Sequence, residues 1–337
     1  MKNKNISLKP YNSFGLEVFS NNFYRASTET DILKLLNKFS NFDPYILGGG
    51  SNILFKNNID KPIIKIEIKG IEIEKEIDDE IYISVGAGEN WSNFVDWCVK
   101  KKYGGIENLS LIPGNVGSAP IQNIGAYGVE LESVFYSCKA ISIKKKKIKI
   151  FSKKDCQFSY RNSIFKEKLK NKYIITNVIF KLTKVNHKLN ISYKPLKELI
   201  EKENISKPTI KNISNFIKKI RQTKLPDPKL IGNCGSFFKN PIVSKKMFKS
   251  LILKYSSMPS FNISDNEFKI PAAWLIEKSG FKGVDEGETG TYKKHALVII
   301  NHGKATGTEI YNFSQKIKKS VLKKFNILLE EEVNIFE

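Results

Sequence analysis

The sequence from Leu109 to Glu130, LSLIPGNVGSAPIQNIGAYGVE, is the stretch around which the rest of the chain is organised. It combines glycine, proline and other small residues with almost no charge, although 27% of the whole chain is charged. Glycine lets a backbone adopt positive φ and approach another group closely. A buried turn between two strands would explain one glycine pair, whereas a stretch of this length indicates a main chain packed against a flat, bulky group. Its glycines are Gly114, Gly117, Gly125 and Gly128.

Two shorter glycine loops favour a bound ligand over a simple turn. Residues 44–52 read PYILGGGSN and residues 81–90 read IYISVGAGEN, so each loop places glycines directly after a β-type run. Turns of this kind expose successive backbone N–H groups, which bind anions. Neither loop fits G-x-G-x-x-G or G-x-x-x-x-G-K-[ST], which disfavours a Rossmann or P-loop site. The three loops therefore predict a cofactor whose pyrophosphate is held in another way.

The net charge of +22 at pH 7 is the feature that could suggest nucleic-acid binding. Only three of the 56 basic residues are arginine, and the other 53 are lysines spread over most of the chain. Asparagine and isoleucine are also abundant, which is typical of a codon bias towards A and T. Aromatic–basic stacking motifs are absent. We therefore expect no nucleic-acid function.

Cysteine and histidine usage predicts no metal site. The four cysteines form no C-x-x-C pair, and the three histidines show no H-E-x-x-H spacing, so reduced thiols are the simplest interpretation. The sequence has no apolar run of about 18 residues and predicts no membrane span. The first fifteen residues, MKNKNISLKPYNSFG, lack the apolar core of a secretory signal.

Local patterns predict helices and strands in alternation. A helix is expected from Thr28 to Phe39, with Thr28 and Asp31 as a capping box. Another is expected from Trp91 to about Lys102, capped by Asn90 and ended by Gly104 or Gly105. Further predictions are a sheet strand at Phe158–Phe165, a helix at Glu309–Phe325 behind a Thr306/Glu309 capping box, and a final strand at Ile327–Phe336.

The two prolines in Lys224–Lys229 break regular structure and indicate a domain boundary. Three domains are predicted, with the C-terminal segment 327–337 returning to the second: residues 1–70, 71–225 and 226–326.

Six long motifs resemble the UDP-N-acetylenolpyruvoylglucosamine reductase (MurB) family and occur in that family's order. They are GGGSN, GAGENW, LIPGNVGSAPIQNIGAYG, SYRNSIFK, RQTKLPDPK and GSFFKNP. The resemblance runs from about Leu8 to Val333. It implies an α+β protein with a vanillyl-alcohol-oxidase-type (PCMH-like) FAD-binding fold. Two N-terminal domains would hold FAD between them, and a C-terminal α+β domain would bind substrate.

The resemblance also implies an activity: NADPH reduces FAD, and the flavin then reduces the enolpyruvyl group of UDP-N-acetylglucosamine enolpyruvate to give UDP-N-acetylmuramate. This is a cytoplasmic step of peptidoglycan precursor synthesis, and we expect a monomer that binds the UDP-sugar and NADPH. Another FAD-dependent oxidoreductase of the same fold is the first alternative. A basic RNA-binding protein is the distant one.

The residues that the resemblance assigns to FAD lie in the glycine loops, apart from Arg221, which matches a position near the FAD phosphates. They are Gly48, Gly49, Gly50, Ser51, Asn52, Gly114, Gly117, Ser118, Gln122, Asn123, Gly125, Ala126 and Arg221.

Three residues are the predicted catalytic groups. Arg161 alternates with apolar neighbours on the predicted strand, so it either points to water or clamps a carboxylate. Ser236, in GNCGSFFKNP, has no histidine nearby in the sequence and is not the centre of a G-x-S-x-G motif. By resemblance, Ser236 matches a proton donor and Glu332 a catalytic glutamate. Chemistry alone leaves the choice among Glu330, Glu331 and Glu332 open.

Four residues match substrate-contacting positions of the family. Tyr193 matches a tyrosine of a loop that closes over the UDP group, and the others are Lys224, Asn240 and His295. His295 departs from the glutamine that other members carry. Packing at the surface or in the core is an equally good interpretation of Tyr193 and His295.

Overall fold

The computed structural model describes residues 5–39 and 43–337, so a small part of the predicted first domain lies outside the described residues. The chain forms two compact units. The first comprises Met1–Ile6, Ser20–Gly49 and Asp60–Thr223, and the second comprises Ser7–Phe19, Gly50–Ile59 and Lys224–Glu337. Both predicted FAD-binding domains thus contribute to the first unit, and two short N-terminal segments belong to the second.

The helices of the described residues are given in chain order. They are α1 (Glu29–Lys38), α2 (Trp91–Lys100), α3 (Lys153–Cys156), α4 (Lys194–Lys202), α5 (Ile210–Lys224), α6 (Lys245–Lys254), α7 (Ala272–Lys278) and α8 (Gly307–Phe325). In the part of the chain that the structure describes, no helix combines the length and the apolar character that a bilayer crossing requires.

The strands are numbered in the same way. They are β1 (Ile6–Ser7), β2 (Phe19–Ser20), β3 (Phe23–Ala26), β4 (Tyr45–Leu47), β5 (Ile53–Phe55), β6 (Ile63–Ile66), β7 (Ile71–Ile77), β8 (Glu80–Gly86), β9 (Gly125–Ala126), β10 (Val129–Glu130), β11 (Phe135–Ser142), β12 (Ile148–Ser152), β13 (Tyr173–Thr183), β14 (Gly232–Ser236), β15 (Ile242–Ser244), β16 (Phe261–Ser264), β17 (Glu267–Lys269), β18 (Asp285–Glu286), β19 (Thr289–Tyr292), β20 (His295–Asn301) and β21 (Asn334–Phe336).

A small parallel sheet in the first unit delivers the first glycine loop. Strand β6 lies between β3 and β4, and the loop that begins at Gly48 follows directly after β4. Helix α1 packs on this sheet through Ile32 and Leu36, which are buried with Ile64. The predicted capping box is confirmed, because the Thr28 hydroxyl accepts from the Asp31 N–H and the Asp31 carboxylate accepts from the Thr28 N–H.

A five-stranded antiparallel sheet, with strand order β12-β11-β13-β8-β7, forms the rest of the first unit's framework. Helix α2 buries Trp91, Phe94, Val95 and Cys98 against it, as the apolar spacing predicts, and the Asn90 side chain caps its first turn. The helix ends close to the predicted position, but the prediction that Gly104 or Gly105 ends it is wrong. The helix stops at Lys100, and Lys102 with φ 61° makes the left-handed turn before either glycine is reached.

The second unit contains a four-stranded antiparallel sheet in the order β14-β20-β19-β18. Helices α7 and α8 pack on it, and the predicted capping box of α8 is confirmed by reciprocal bonds between Thr306 and Glu309. A separate three-stranded sheet is formed by β15, β17 and β16.

The C-terminal segment departs from its predicted partner. Only Asn334–Phe336 forms a strand, and it pairs in parallel with β5 rather than with a strand of residues 71–225. Residues before it run beside the segment after β14, where the Lys239 N–H donates to the Glu330 carbonyl at 2.9 Å. These pairings join residues that are 281 and 91 positions apart, which local alternation cannot specify.

Candidate active site

The glycine-rich stretch lies against the two shorter loops of the first unit, and glycine is needed at the contacts. A Cβ on Gly49 would lie 2.7 Å from the Cα of Gly114, and one on Gly117 would lie 2.5 Å from the Cβ of Ala87. Backbone bonds join the same segments, because the Gly117 N–H donates to the Ala87 carbonyl at 2.9 Å. The three predicted glycine loops are therefore brought together at the level of the backbone.

In the second unit, Gly50 and Asn52 anchor the other half of the GGGSN loop. Gly50 has φ 67°, and a Cβ there would meet the Tyr11 carbonyl oxygen at 1.9 Å. The Asn52 side-chain amide donates to the Glu332 carbonyl at 3.2 Å, and the Asn334 N–H donates to the Asn52 carbonyl at 3.0 Å. Asn52 thus fixes the backbone of the predicted catalytic glutamate.

Backbone donors in the GGGSN loop fit a cofactor with a diphosphate. Within the described residues, the N–H groups of Gly49, Gly50 and Ser51 donate to no other protein group. Successive N–H groups without a protein acceptor are the donors that a phosphate requires. The residues present therefore fit FAD at the phosphate end.

The second half of the glycine-rich stretch is held by its own side chains. Asn123 is fully buried with φ 44°, and its amide donates to the Glu130 carboxylate at 2.9 Å and to the Ser159 carbonyl at 3.2 Å. Its side-chain oxygen accepts from the Glu132 N–H at 3.0 Å. The Ser118 hydroxyl donates to the Asn115 carbonyl at 2.7 Å. These side-chain hydrogen bonds fix the shape of the loop.

Arg161 lies in a tight turn, and the predicted strand at Phe158–Phe165 is wrong. Arg161 has φ 52°, and Ser159 and Asn162 bond to each other across it. The side chain is only 18% exposed. Its guanidinium donates to the Gly125 carbonyl at 2.5 Å and lies 3.7 Å from the Glu130 carboxylate. A left-handed residue ends strand pairing, and here it carries the arginine to the glycine-rich stretch.

Tyr127, which no sequence motif singled out, contacts two of the predicted site residues. Tyr127 packs edge-on against Tyr193 with ring centroids 4.9 Å apart, and it is hydrogen-bonded to Arg221. Burial raises the pKa of Tyr127 although Arg221 opposes the shift, and burial lowers the pKa of Arg221 although Tyr127 opposes that shift. Tyr127 is an aromatic residue in a stretch made mostly of small residues, and that contrast could have identified it from the sequence.

Ser236 and Glu332 lie on neighbouring backbone segments of the second unit. Ser236 ends β14 opposite Val298, after a bulge in which Gly235 has φ 74°. The Glu332 N–H donates to the carbonyl of Phe237, the next residue, at 2.8 Å. Burial, and then the nearby Glu332 carboxylate, raise the pKa of the Cys234 thiol. Cys234 is therefore a buried neighbour of Glu332. The sequence patterns did not identify this cysteine as part of the site.

The structure separates the three consecutive glutamates. Glu330 is exposed and pairs with Lys239 at 2.9 Å. Glu331 pairs with Lys318 at 2.8 Å and accepts from Gln315 at 2.9 Å. Burial tends to raise the pKa of Glu331, but those bonds outweigh it and the net pKa is lowered. Glu330 and Glu331 are thus both engaged in ion pairs.

His295 and Lys224 come together with a further lysine, Lys282. Burial, then Lys224 and then Lys282, lower the pKa of His295, and its Nδ1 is buried without a hydrogen-bond partner in the described residues. A buried unpaired nitrogen beside two cations is suited to an anionic ligand. Asn240 has a structural contact, because its side-chain oxygen accepts from the Ala272 N–H at 2.9 Å at the start of α7.

Comparisons with known proteins cover nearly the whole chain. Residues 22–143 match the family described as FAD binding domain, and residues 227–336 match the C-terminal domain of UDP-N-acetylenolpyruvoylglucosamine reductase. A protein of that name from Flavobacterium johnsoniae is 48% identical over 331 residues, which is 98% of each chain. One from Amoebophilus asiaticus is 44% identical over 99% of each chain.

The chain belongs to the UDP-N-acetylenolpyruvoylglucosamine reductase family. A solved structure of this family, from Thermus caldophilus, aligns over 99% of this chain and 98% of its own length with a TM-score of 0.70. Its sequence identity is 18%, so that likeness concerns the fold.

Membership in the reductase family confirms the predicted fold class and the predicted enzyme class. The chain is an FAD-dependent oxidoreductase with an FAD-binding part followed by the C-terminal domain of the family. The predicted function, reduction of the enolpyruvyl group of UDP-N-acetylglucosamine enolpyruvate in peptidoglycan synthesis, is confirmed at the level of the family. The other FAD oxidoreductases considered from the sequence are thereby excluded.

Proposed function

We propose that this chain uses NADPH to reduce UDP-N-acetylglucosamine enolpyruvate to UDP-N-acetylmuramate, with Arg161, Ser236 and Glu332 as its catalytic groups. The observation that carries the proposal is the bond between the Glu332 N–H and the Phe237 carbonyl, at 2.8 Å. It holds the predicted proton donor and the predicted glutamate on adjacent backbones, although they lie far apart in the sequence.

Bound FAD would supply the hydride chemistry, taking a hydride from NADPH and delivering it to the vinyl carbon of the substrate. The chain's part is to hold this cofactor and keep the site ordered. Backbone N–H groups of Gly49, Gly50 and Ser51 would bind the diphosphate. The close contact of Gly49 with Gly114 would keep the loops rigid, since any side chain at Gly49 would separate them.

Arg161 would stabilise negative charge on the substrate carboxylate. Adding a hydride to a vinyl group conjugated with a carboxylate develops charge on that carboxylate, and a fixed cation there is an electrostatic contribution worth several kcal/mol. The Gly125 carbonyl and Glu130 orient the guanidinium in advance. A guanidinium has five donors in a planar fork, a geometry that matches a carboxylate.

Ser236 would deliver the proton that completes the reaction. Its Oγ–H would protonate the carbon that bears the carboxylate, and Glu332 would orient the developing enolate from the adjacent backbone. A serine hydroxyl is a weak acid, so its placement must supply what its acidity lacks. The bulge that includes Gly235 gives Ser236 a side-chain direction that a regular strand would not.

The UDP group would be bound by the predicted residues Tyr193, Lys224, Asn240 and His295. Support comes from the proximity of His295 to Lys224 and Lys282, three nitrogen-bearing side chains suited to a diphosphate. Asn240 would act partly through α7, whose first turn it caps. NADPH rather than NADH as donor, a monomeric state and a cytoplasmic location complete the proposal.

The proposal is tested with the purified protein reconstituted with FAD. We expect flavin absorption near ~450 nm, bleaching of that absorption by NADPH without oxygen, and its recovery when the enolpyruvyl substrate is added. Equal rates with NADH would contradict the donor preference. If NADPH bleaches the flavin absorption but the enolpyruvyl substrate fails to restore it, the proposed substrate is wrong.

Ser236→Ala separates the two halves of the reaction. Bleaching by NADPH requires no proton from Ser236, so its rate should stay near that of the unchanged protein. Substrate-dependent recovery should slow by about 10²–10⁴-fold, the usual contribution of one general acid. Ser236→Cys keeps a donor at the same place and should regain part of the rate. Stopped-flow absorbance measures both steps, and equal slowing of both would make Ser236 a structural residue.

A further inference from the structure

A lysine behind the first glycine loop has no role in the reaction described above. Lys65 lies on β6, the central strand of the small parallel sheet, opposite Leu47 on β4 and Arg25 on β3. Gly48 follows Leu47 directly, and the Lys65 Nζ reaches forward to donate to the Gly48 carbonyl. A surface lysine would extend into water, whereas this one is directed at the backbone of the loop.

The charge of Lys65 is poorly compensated. Burial lowers the pKa of Lys65, and of the charged groups around it Glu67 opposes the shift while Lys69 and Arg25 add to it. No carboxylate of the described residues lies within ion-pair distance of Lys65. Glu67 is 3.8 Å from Arg25. Lys69 has its own partners, because it contacts Glu89 at 3.6 Å and donates to the Gly88 carbonyl at 2.6 Å.

The bond to Gly48 places Lys65 at one end of a peptide unit whose other end faces outward. The unit that joins Gly48 to Gly49 is planar and trans, so its C=O and N–H point in opposite directions. Its oxygen accepts from an ammonium group, while the Gly49 N–H donates to no described group and Gly49 is exposed. A cation at the oxygen polarises the unit and strengthens its N–H as a donor.

We propose that Lys65 is a positioning residue for the diphosphate of FAD, which it serves by fixing and polarising the Gly48–Gly49 peptide. The inference rests on the proposed function, in which this loop binds the diphosphate. Lys65 touches neither the cofactor nor the substrate in this scheme. Its positive charge adds a favourable long-range interaction with an anion on the opposite side of the peptide.

Two consequences distinguish this role from a merely structural one. The effect of Lys65 is confined to ligands that carry phosphate, so FAD and ADP should depend on it and riboflavin should not. The affinity for FAD should also fall as pH rises through the lowered pKa of Lys65, because a bound anion favours the protonated form. The charged groups that face Lys65 are Glu67, Lys69 and Arg25.

The test measures dissociation constants of FAD, ADP and riboflavin for the FAD-free protein by calorimetry, between pH 7 and pH 10. The variants are Lys65→Met, which keeps the length of the side chain without its charge, and Lys65→Arg, which keeps the charge. Lys181→Met is the matched control, because Lys181 is an exposed lysine paired with Glu80 on another sheet of the same unit. Circular dichroism and melting temperature verify folding.

We expect Lys65→Met to weaken FAD and ADP by about tenfold, equivalent to one unit of log affinity or roughly 1.4 kcal/mol. Riboflavin binding should stay unchanged, the decline of FAD affinity with pH should flatten, and Lys65→Arg should recover most of the loss. Equal weakening of riboflavin, or no weakening of ADP, would overturn the role of Lys65.

The wild-type protein keeps the inference testable if Lys65→Met fails to fold. Its FAD affinity should then decline with pH more steeply than its riboflavin affinity, and parallel profiles would overturn the inference. A wild-type protein that binds no FAD would instead overturn the proposed function, and this inference with it.

Discussion

Arg161 is held against the glycine-rich stretch by a backbone conformation as well as by its contacts. Its φ of 52° directs the chain out of a strand, and the Gly125 carbonyl and Glu130 fix the guanidinium. Arginine is costly to bury, so a partly buried one needs several acceptors. The geometry suits an arginine that has to be in position before a carboxylate arrives.

Arg161→Lys keeps the charge but loses the planar fork. We expect FAD to remain bound while substrate-dependent recovery of flavin absorption slows by about 10²-fold or more, the usual cost of one electrostatic donor. Arg25→Lys is the matched control, because Arg25 is half-exposed and pairs loosely with Glu67. Stopped-flow absorbance gives both rates. Recovery at the unchanged rate would remove Arg161 from the mechanism.

His295 is a titratable residue at a position where relatives are expected to carry glutamine. Burial and two lysines lower its pKa, so the unfolded chain binds more protons at this residue than the folded protein does. Stability should therefore be lost as pH falls below the ordinary histidine pKa of roughly 6.5, and be fully present above it.

His295→Gln should remove the loss of stability at low pH that His295 causes. We expect the melting temperatures of the two proteins to differ by a constant amount above pH 7. Between pH 6.5 and pH 5, the melting temperature of the variant should rise relative to that of the unchanged protein. His302, which pairs with Asp285 at 2.9 Å, is the same in both proteins, so its contribution cancels in the comparison. Differential scanning calorimetry at several pH values measures the difference. Parallel curves over the whole range would show that His295 is not desolvated.

At the scale of elements, the glycine loops depend on close backbone contact rather than on unusual dihedral angles alone. Gly48 and Gly49 have no positive φ, yet the space around them differs. A Cβ on Gly48 would find its nearest neighbour, the Ser118 Cβ, at 3.6 Å, which is an ordinary contact. One on Gly49 would meet the Gly114 Cα at 2.7 Å, which no side-chain rotation can relieve.

Gly49→Ala should therefore destabilise the FAD-free protein by about 2 kcal/mol, the usual cost of forcing a methyl group into a packed site. Gly48→Ala should change its stability by less than about 0.5 kcal/mol. The FAD-free protein is used so that contacts with the cofactor do not enter the comparison. Urea unfolding followed by circular dichroism gives the two values. Equal destabilisation by both substitutions would show that the contact between the loops is not tight.

For the whole molecule, the net charge of +22 is the strongest long-range property. Many of its lysines are used locally, as in the pairs of Lys181 with Glu80 and Lys218 with Asp96. Surface pairs of this kind contribute little stability, but they spread the charge over the surface. The absence of nucleic-acid function stays a prediction.

Binding to duplex DNA should accordingly be weak and independent of sequence. Attraction to phosphates alone weakens steeply with salt, so we expect the dissociation constant to rise by about tenfold or more between 50 and 200 mM salt. Fluorescence anisotropy with one duplex and its scrambled counterpart measures both the salt slope and any preference. Retention of one sequence over the other at 150 mM salt would contradict the prediction.

The features that the sequence by itself determined are those that depend on local interactions. The capping boxes at Thr28 and Thr306 and the apolar face of α2 depend on contacts within a few residues, and all are present as predicted. The motifs also identified the family, because long runs of specific residues rarely agree by chance. Fold class, cofactor and enzyme class followed from that resemblance.

Contacts between distant segments decided the rest. Strand β21 pairs with β5, and Asn52 bonds to Glu332, 280 residues away. The turn at Arg161 replaced a predicted strand because the Gly125 carbonyl and Glu130 supply the acceptors that this side chain needs. Lys65 had no motif at all, and only the register of β6 against β4 brings it to Gly48. Alternation along one strand cannot specify such partners, since their energy comes from pairing with residues elsewhere in the chain.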